Sequence, residues 1–122
     1  MLVDDHAAFR QMVKTVLAAL AADFVECEDG QEAVAQYSRC RPNVVLMDIA
    51  MKGLDGLNAT MQIRTSFPDA NIFMLTQYDD PDLRQAAQEA GAAGYLLKDD
   101  LSQLQRLLEV SEPRPRANSN NT

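Results

Sequence analysis

Asp4 and Asp5, Asp48, Thr76 and Lys98 are the residues of this chain whose types and places suit shared chemistry, because each follows a short apolar run. Met1-Leu2-Val3 ends on Asp4-Asp5, Val44-Val45-Leu46-Met47 on Asp48, Ile72-Phe73-Met74-Leu75 on Thr76, and Gly94-Tyr95-Leu96-Leu97 on Lys98. Carboxylates crowded into one cleft repel and raise one another's pKa. Three of them at one edge of a small domain therefore need a counter-charge, and a hard divalent cation supplies it. Mg²⁺ takes one or two carboxylates together with carbonyls, waters and a phosphate oxygen; here Asp4 or Asp5, Asp48 and backbone carbonyls of the loop at about Ala50 are the candidate ligands. Such a cleft is suited to a phosphoryl group. Phosphoryl transfer asks the protein chiefly for positioning and charge neutralisation, so Asp48 reads as the nucleophile, Lys98 as the fixed cation and Thr76 as the hydroxyl donor. The expected product is an aspartyl phosphate.

The elements that must position these residues follow from the pattern between them. Ala7 to Leu20 carries Phe9, Met12, Val13, Val16, Leu17 and Leu20 at helical spacing. Phe24 to Glu28 alternates like a half-buried strand, and Asp29-Gly30 separates it from a helix over Gln31 to Cys40 with Ala33, Val34 and Tyr37 on one face. The runs before Asp48 and Thr76 are continuous and apolar, as in parallel strands covered on both faces. Between them Gly53 and Gly56 lie in a loop before a helix from Leu57 to Phe67, with Leu57, Met61 and Ile63 inward. Asp80-Pro81 reads as an N-cap with proline at the first helical position, opening a helix that Gly91 ends. Asp100 caps a last helix, Leu101 to about Val110, with Leu101, Leu104, Leu107 and Leu108 as its stripe. Strict strand-helix alternation predicts an α/β fold: a five-stranded parallel sheet in the flavodoxin-like order 2-1-3-4-5, with helices on both faces and a short first strand. Ligands of such sheets bind outside the carboxyl ends of the strands. That is where Asp4, Asp5, Asp48, Thr76 and Lys98 converge.

The runs LVDDHAAFR, VVLMDIAMKGLDGL, MLTQYDD and GYLLKDD resemble response-regulator receiver domains, above all those joined to helix-turn-helix outputs of the nitrate-regulator and nodulation-regulator type. The resemblance covers residues 1 to about 110. It implies that Asp4 and Asp5 are the acidic pair, that Asp5 and the Ala50 carbonyl join Asp48 as Mg²⁺ ligands, and that Thr76 and Lys98 are the switch hydroxyl and cation. It also gives Tyr95 the part of switch aromatic. The implied function is that of a two-component receiver, a phosphoacceptor rather than an enzyme. It would be phosphorylated by a sensor histidine kinase, form a homodimer through one of two faces, and control an output, in transcription by the family pattern, that lies outside this chain. Two positions depart from the pattern: Lys52, where proline is usual, and Gln77, where a small residue is usual. Both lie near Asp48, and Gln77 is expected to alter phosphorylation or dephosphorylation rates.

Bulk properties bound the alternatives. The 122 residues suit one domain, read as a receiver over 1–110 and a linker or flexible tail over 111–122. A formal charge of -7 opposes direct nucleic-acid binding by this segment. No apolar run reaches a membrane span, and Cys27 and Cys40 stand alone, which suits a reducing, cytoplasmic setting. His6 reads as a helix-start residue, and the three-residue first strand suggests that something upstream is absent. Two other classes stay in view. A receiver-shaped interaction module would dimerise without accepting phosphate. A flavin binder or aspartate-nucleophile phosphatase would need phosphate-cradling amides after the first strand, or a second acid where Ala50 stands.

Overall fold

The computed structural model describes residues 1–19, 23–51 and 53–110. Leu20, Lys52 and the expected tail over 111–122 lie outside the described residues, as do the side chains of Leu107 and Leu108. Five strands and five helices alternate: β1 Leu2–Val3, α1 Ala7–Val16, β2 Glu26–Cys27, α2 Gly30–Cys40, β3 Val45–Met47, α3 Gly56–Ser66, β4 Ile72–Thr76, α4 Pro81–Ala90, β5 Gly94–Leu97 and α5 Leu101–Val110. The strands pair in parallel in the order β2-β1-β3-β4-β5, as the alternation requires.

Alternate residues of each inner strand feed two separate cores. Val3, Val45, Met47, Ile72 and Met74 pack with Ala33 and Tyr37 of α2, Ala59 and Ile63 of α3 and Ala87 of α4. Leu2, Leu46, Phe73, Leu75 and Leu96 pack on the opposite face with Val13 of α1, Leu17 just beyond it, and Leu104 of α5. Covering both faces is why these strands read as unbroken apolar runs.

β1 is short, yet its hydrogen bonds run past its ends. Leu46 N–H donates to the Met1 carbonyl at 2.9 Å, Asp48 N–H to Val3 at 2.9 Å, Leu2 N–H to Val25 at 2.8 Å and Asp4 N–H to Cys27 at 3.0 Å. The backbone of Asp4 is thereby fixed to the sheet, and so is that of Asp48.

Three expectations need correction. The first helix ends at Val16, with a turn over 17–19, rather than running to Leu20. Met61, read as inward, is 50% exposed, and Met12, placed among the helically spaced apolar residues of the first helix, is 51% exposed. In α3 the buried stripe is Gly56, Ala59, Thr60 and Ile63. Its small members let the helix lie close to the sheet, and the Thr60 hydroxyl donates to Met74 Sδ at 3.5 Å. That stripe recurs at 3.6-residue spacing; Met61 falls just off it.

Two glycines shape the loop after β3 by close approach. A Cβ on Gly56 would stand 2.0 Å from the Asp48 carbonyl oxygen, and one on Gly30 would stand 2.3 Å from that of Leu54. Their N–H groups instead donate to the Ile49 carbonyl at 3.0 Å and the Leu54 carbonyl at 3.2 Å. The loop leaving Asp48 is therefore drawn tightly against α2 and α3.

Candidate functional site

The acidic residues meet at the carboxyl edge of the three central strands. Asp4 is buried where β1 ends. Its Oδ1 accepts the His6 backbone N–H at 2.8 Å, and its Oδ2 lies 2.7 Å from Lys98 Nζ. Asp48, at the end of β3, is 5% exposed, with Oδ2 3.6 Å from the same ammonium. Lys98 thus bridges two buried carboxylates. Its backbone N–H donates to the Thr76 carbonyl at 2.8 Å, which ties the ends of β4 and β5, and its ammonium lies 4.5 Å from the centre of the Phe9 ring. A cation over a ring face is attracted by the ring quadrupole, so Phe9 steadies Lys98 from α1.

Asp48 is the perturbed group of the cluster. Burial, above all, pushes its carboxyl up to about 6; Lys98 and the Ala50 backbone N–H oppose that rise, while Asp4 and Asp5 add to it. One ligand atom each from Asp4, Asp5, His6 and Asp48 lie within 4.8 Å of one another. Asp5 Oδ1 is buried and accepts no hydrogen bond, although His6 Nδ1 is 2.9 Å away and also contacts Asp4 Oδ1 at 3.3 Å. A buried carboxylate oxygen without a donor is costly, and a hard cation would satisfy it. With Asp4 and Asp48 beside it, the donor set fits an oxygen-seeking divalent ion.

Thr76 is buried at the end of β4, its hydroxyl oxygen accepting the Tyr78 N–H at 3.2 Å. The Tyr95 hydroxyl donates to the Tyr78 carbonyl in a short hydrogen bond, and the Arg84 guanidinium lies 4.6 Å from the Tyr95 ring centre. The backbone of Tyr78 therefore touches both residues that the sequence singled out as switch elements. Gln77 is exposed and donates its amide to the Tyr78 hydroxyl at 3.0 Å.

The structure thus gathers Asp4, Asp5, Asp48 and Lys98 directly and sets Thr76 at the adjoining strand end. Ala50 is an exposed bend residue directly after this cluster. Sequence reasoning missed four neighbours. It left His6 as a helix-start residue, which it is, without its carboxylate contacts. It placed Phe9 in a stripe without its cation, and gave no part to Tyr78 or Arg10. Arg10, whose Nη1 donates to the Asp4 carbonyl at 2.5 Å, sits in the LVDDHAAFR run, so its nearness to the acidic pair was the available signal.

A family model described as the response regulator receiver domain matches residues 1–109. Response regulator UvrY of Escherichia coli (strain K12) is 41% identical over 100 residues, covering 80% of this chain and 46% of that protein. A two-component response regulator of the LuxR family from Aurantimonas sp. SI85-9A1 superposes with a TM-score of 0.83 at 29% identity, over 100% of this chain and 86% of that one. The CheX-CheY-BeF3-Mg²⁺ complex from Borrelia burgdorferi contains a similar fold, with a TM-score of 0.79 at 25% identity over 89% of this chain and 85% of that one. The chain spans less than half the length of the curated relatives it matches, 42% of the first and 46% of UvrY.

Proposed function

This chain belongs to the response regulator receiver domain family, and from that premise we propose that it accepts a phosphoryl group on Asp48 from the phosphohistidine of a sensor histidine kinase. The observation that carries the reading is the nearly buried Asp48 carboxylate, with Lys98 on one side and the donor-poor Asp5 oxygen in the same cluster. With its carboxyl near 6, Asp48 is ionised at neutral pH and available as a nucleophile. An Asp48 oxygen attacks phosphorus, the O–P bond forms as the N–P bond breaks, and the electron pair returns to the kinase imidazole, which takes up a proton. Lys98 neutralises charge that develops on the phosphoryl oxygens. Asp4, Asp5, Asp48 and the Ala50 carbonyl would hold Mg²⁺, which supplies further neutralisation when bound; a related fold is known in a complex that contains BeF3 and Mg²⁺.

The same site carries the switch. The Thr76 hydroxyl is at present an acceptor for Tyr78 N–H. A phosphoryl group on Asp48 offers acceptor oxygens that draw the Thr76 O–H toward them, and the Tyr78 backbone passes that change to the Tyr95 hydroxyl. The outcome is a shifted population at the α4-β5-α5 surface. That surface would control an output domain or partner, through which a cytoplasmic regulator acts on transcription.

Incubation with Mg²⁺ and acetyl phosphate tests the reading. The expected result is a protein heavier by one phosphoryl group, acid-stable but labile to hydroxylamine, that is absent without Mg²⁺ and absent in Asp48→Asn. No such species, with a homodimer still formed, would favour a phosphorylation-independent interaction module.

A further inference from the structure

Arg10 lies on the first turn of α1, clear of the carboxylate cluster, and is 13% exposed in its side chain. Its guanidinium makes two directed contacts. Nη1 donates to the backbone carbonyl of Asp4 at 2.5 Å, and Nε donates to Glu26 Oε1 at 3.0 Å, on the neighbouring strand β2. The other Glu26 oxygen, Oε2, is taken by Lys14 Nζ at 2.8 Å, one helical turn beyond Arg10. Glu26 is thus held by two cations of α1 and presents one oxygen to each.

This arrangement bears on the acidic pair because Arg10 grips the backbone at the point where β1 turns into α1. Asp4 and Asp5 are followed at once by α1, whose N-cap residue, His6, makes no side-chain capping bond. The Asp4 backbone is held by its N–H to the Cys27 carbonyl and by the Arg10 guanidinium on its carbonyl, while its carboxylate takes the His6 N–H and the Lys98 ammonium. The planar guanidinium presents fixed donors in a fork, so one Arg can hold a carbonyl and a carboxylate in a set relation.

We propose that Arg10 is a positioning residue for the divalent-cation site, clamping the Asp4 carbonyl to Glu26 so that the Asp4 and Asp5 carboxylates are held in the arrangement a cation needs. The proposal rests on the cation-site reading given above and deepens it. It also predicts a sign that simple charge does not. Arg10 is itself a cation beside a cation site, so by Coulomb repulsion alone its removal would tighten binding. A clamp predicts the reverse, because groups that orient metal ligands typically contribute tenfold or more to affinity when lost.

The test is a Mg²⁺ titration of the whole chain followed by amide NMR shifts, with thermal melting in the absence of Mg²⁺ measured alongside. Arg10→Met is expected to weaken Mg²⁺ binding about tenfold. Arg10→Lys should fail to restore it, because an ammonium keeps the charge but not the two-pronged reach. Glu26→Gln, at an exposed position, should weaken binding to a smaller degree by loosening Arg10, and it carries the test if Arg10→Met does not fold. Lys14→Met, which removes a cation without touching the Asp4 carbonyl, should leave affinity unchanged or slightly tighter. A lower melting temperature in the Arg10 and Glu26 variants with Mg²⁺ affinity unchanged or increased would overturn the proposal. Absence of Mg²⁺ binding by the wild-type chain would instead overturn the cation site itself.

Discussion

Two corners of the sheet edge differ sharply in how they are held. At the β1 and β3 ends, Asp4 and Asp48 are buried, Lys98 is 15% exposed in its side chain, and one ammonium spans both carboxylates. Around Tyr95 and the loop after β4, the contacts are on the surface: Tyr78 is exposed, Gln77 reaches it from solvent, and the Arg84–Asp79 pair has side chains 45% and 67% exposed. Charges taken out of water interact strongly and are costly to unpair, whereas exposed pairs contribute little. For the proposed phosphoacceptor role that asymmetry matters: charge added at Asp48 would be felt strongly on the buried side, while the loosely held side would rearrange at small cost.

Removing a cation from each corner should separate them most. Lys98→Ala leaves Asp4 and Asp48 buried without their shared partner and is expected to cost about 3–5 kcal/mol of stability. Arg84→Ala, at the exposed pair, should cost under about 1 kcal/mol. Urea unfolding at pH 7.5 measures both, and equal losses would erase the contrast.

A smaller effect comes from Asp48 in the metal-free chain. Its folded pKa, about 6, lies above the ordinary carboxylate value of 3.8 because burial disfavours the charge. Between those values the folded state holds a proton that the unfolded state has lost. Stability from this group therefore falls as pH rises from about 4 to about 6, and the full penalty applies above 6. At about 1.4 kcal/mol per pKa unit the penalty is on the order of 3 kcal/mol. Asp48→Asn should be more stable than wild type by that order at pH 7.5 in chelator, and indistinguishable from it near pH 4. A gap that does not close at low pH would show that ionisation is not its cause.

The smallest expected effect is on the switch side. Tyr95→Phe loses one hydrogen bond to an exposed carbonyl, for about 0.5–1.5 kcal/mol. It should leave the extent of Asp48 phosphorylation unchanged while reducing the phosphorylation-dependent amide shifts of α4 and β5. If phosphorylation itself fell, Tyr95 would belong to the chemical corner rather than the signalling one.

Much of this layout was legible because it rests on local rules. Asp80 accepts from the N–H groups of Asp82 and Leu83, with Pro81 opening α4, and Gly91 ends that helix in a left-handed conformation, as the sequence predicts. The convergence of Asp4, Asp5, Asp48 and Lys98 followed from strand ends and topology. What escaped were contacts between elements. Met12 and Met61 have the hydrophobicity of core residues but stand just off the buried stripes of their helices. The Lys98 ammonium over Phe9, the His6 ring between two carboxylates and the Arg10–Glu26 bond join residues whose spacing carries no periodic signal. Tyr78 was hidden for another reason: its part is played by its backbone, which any residue would supply.

Reductive trapping reads out whether Asp48 receives the phosphoryl group. Borohydride reduces an aspartyl phosphate to homoserine, so the chain would be treated with acetyl phosphate and Mg²⁺, reduced, digested and sequenced by mass spectrometry. Homoserine is expected at position 48 alone, and it is lost when Mg²⁺ is omitted. Homoserine at another aspartate, or an unmodified Asp48 in a protein that has gained phosphate, would contradict it.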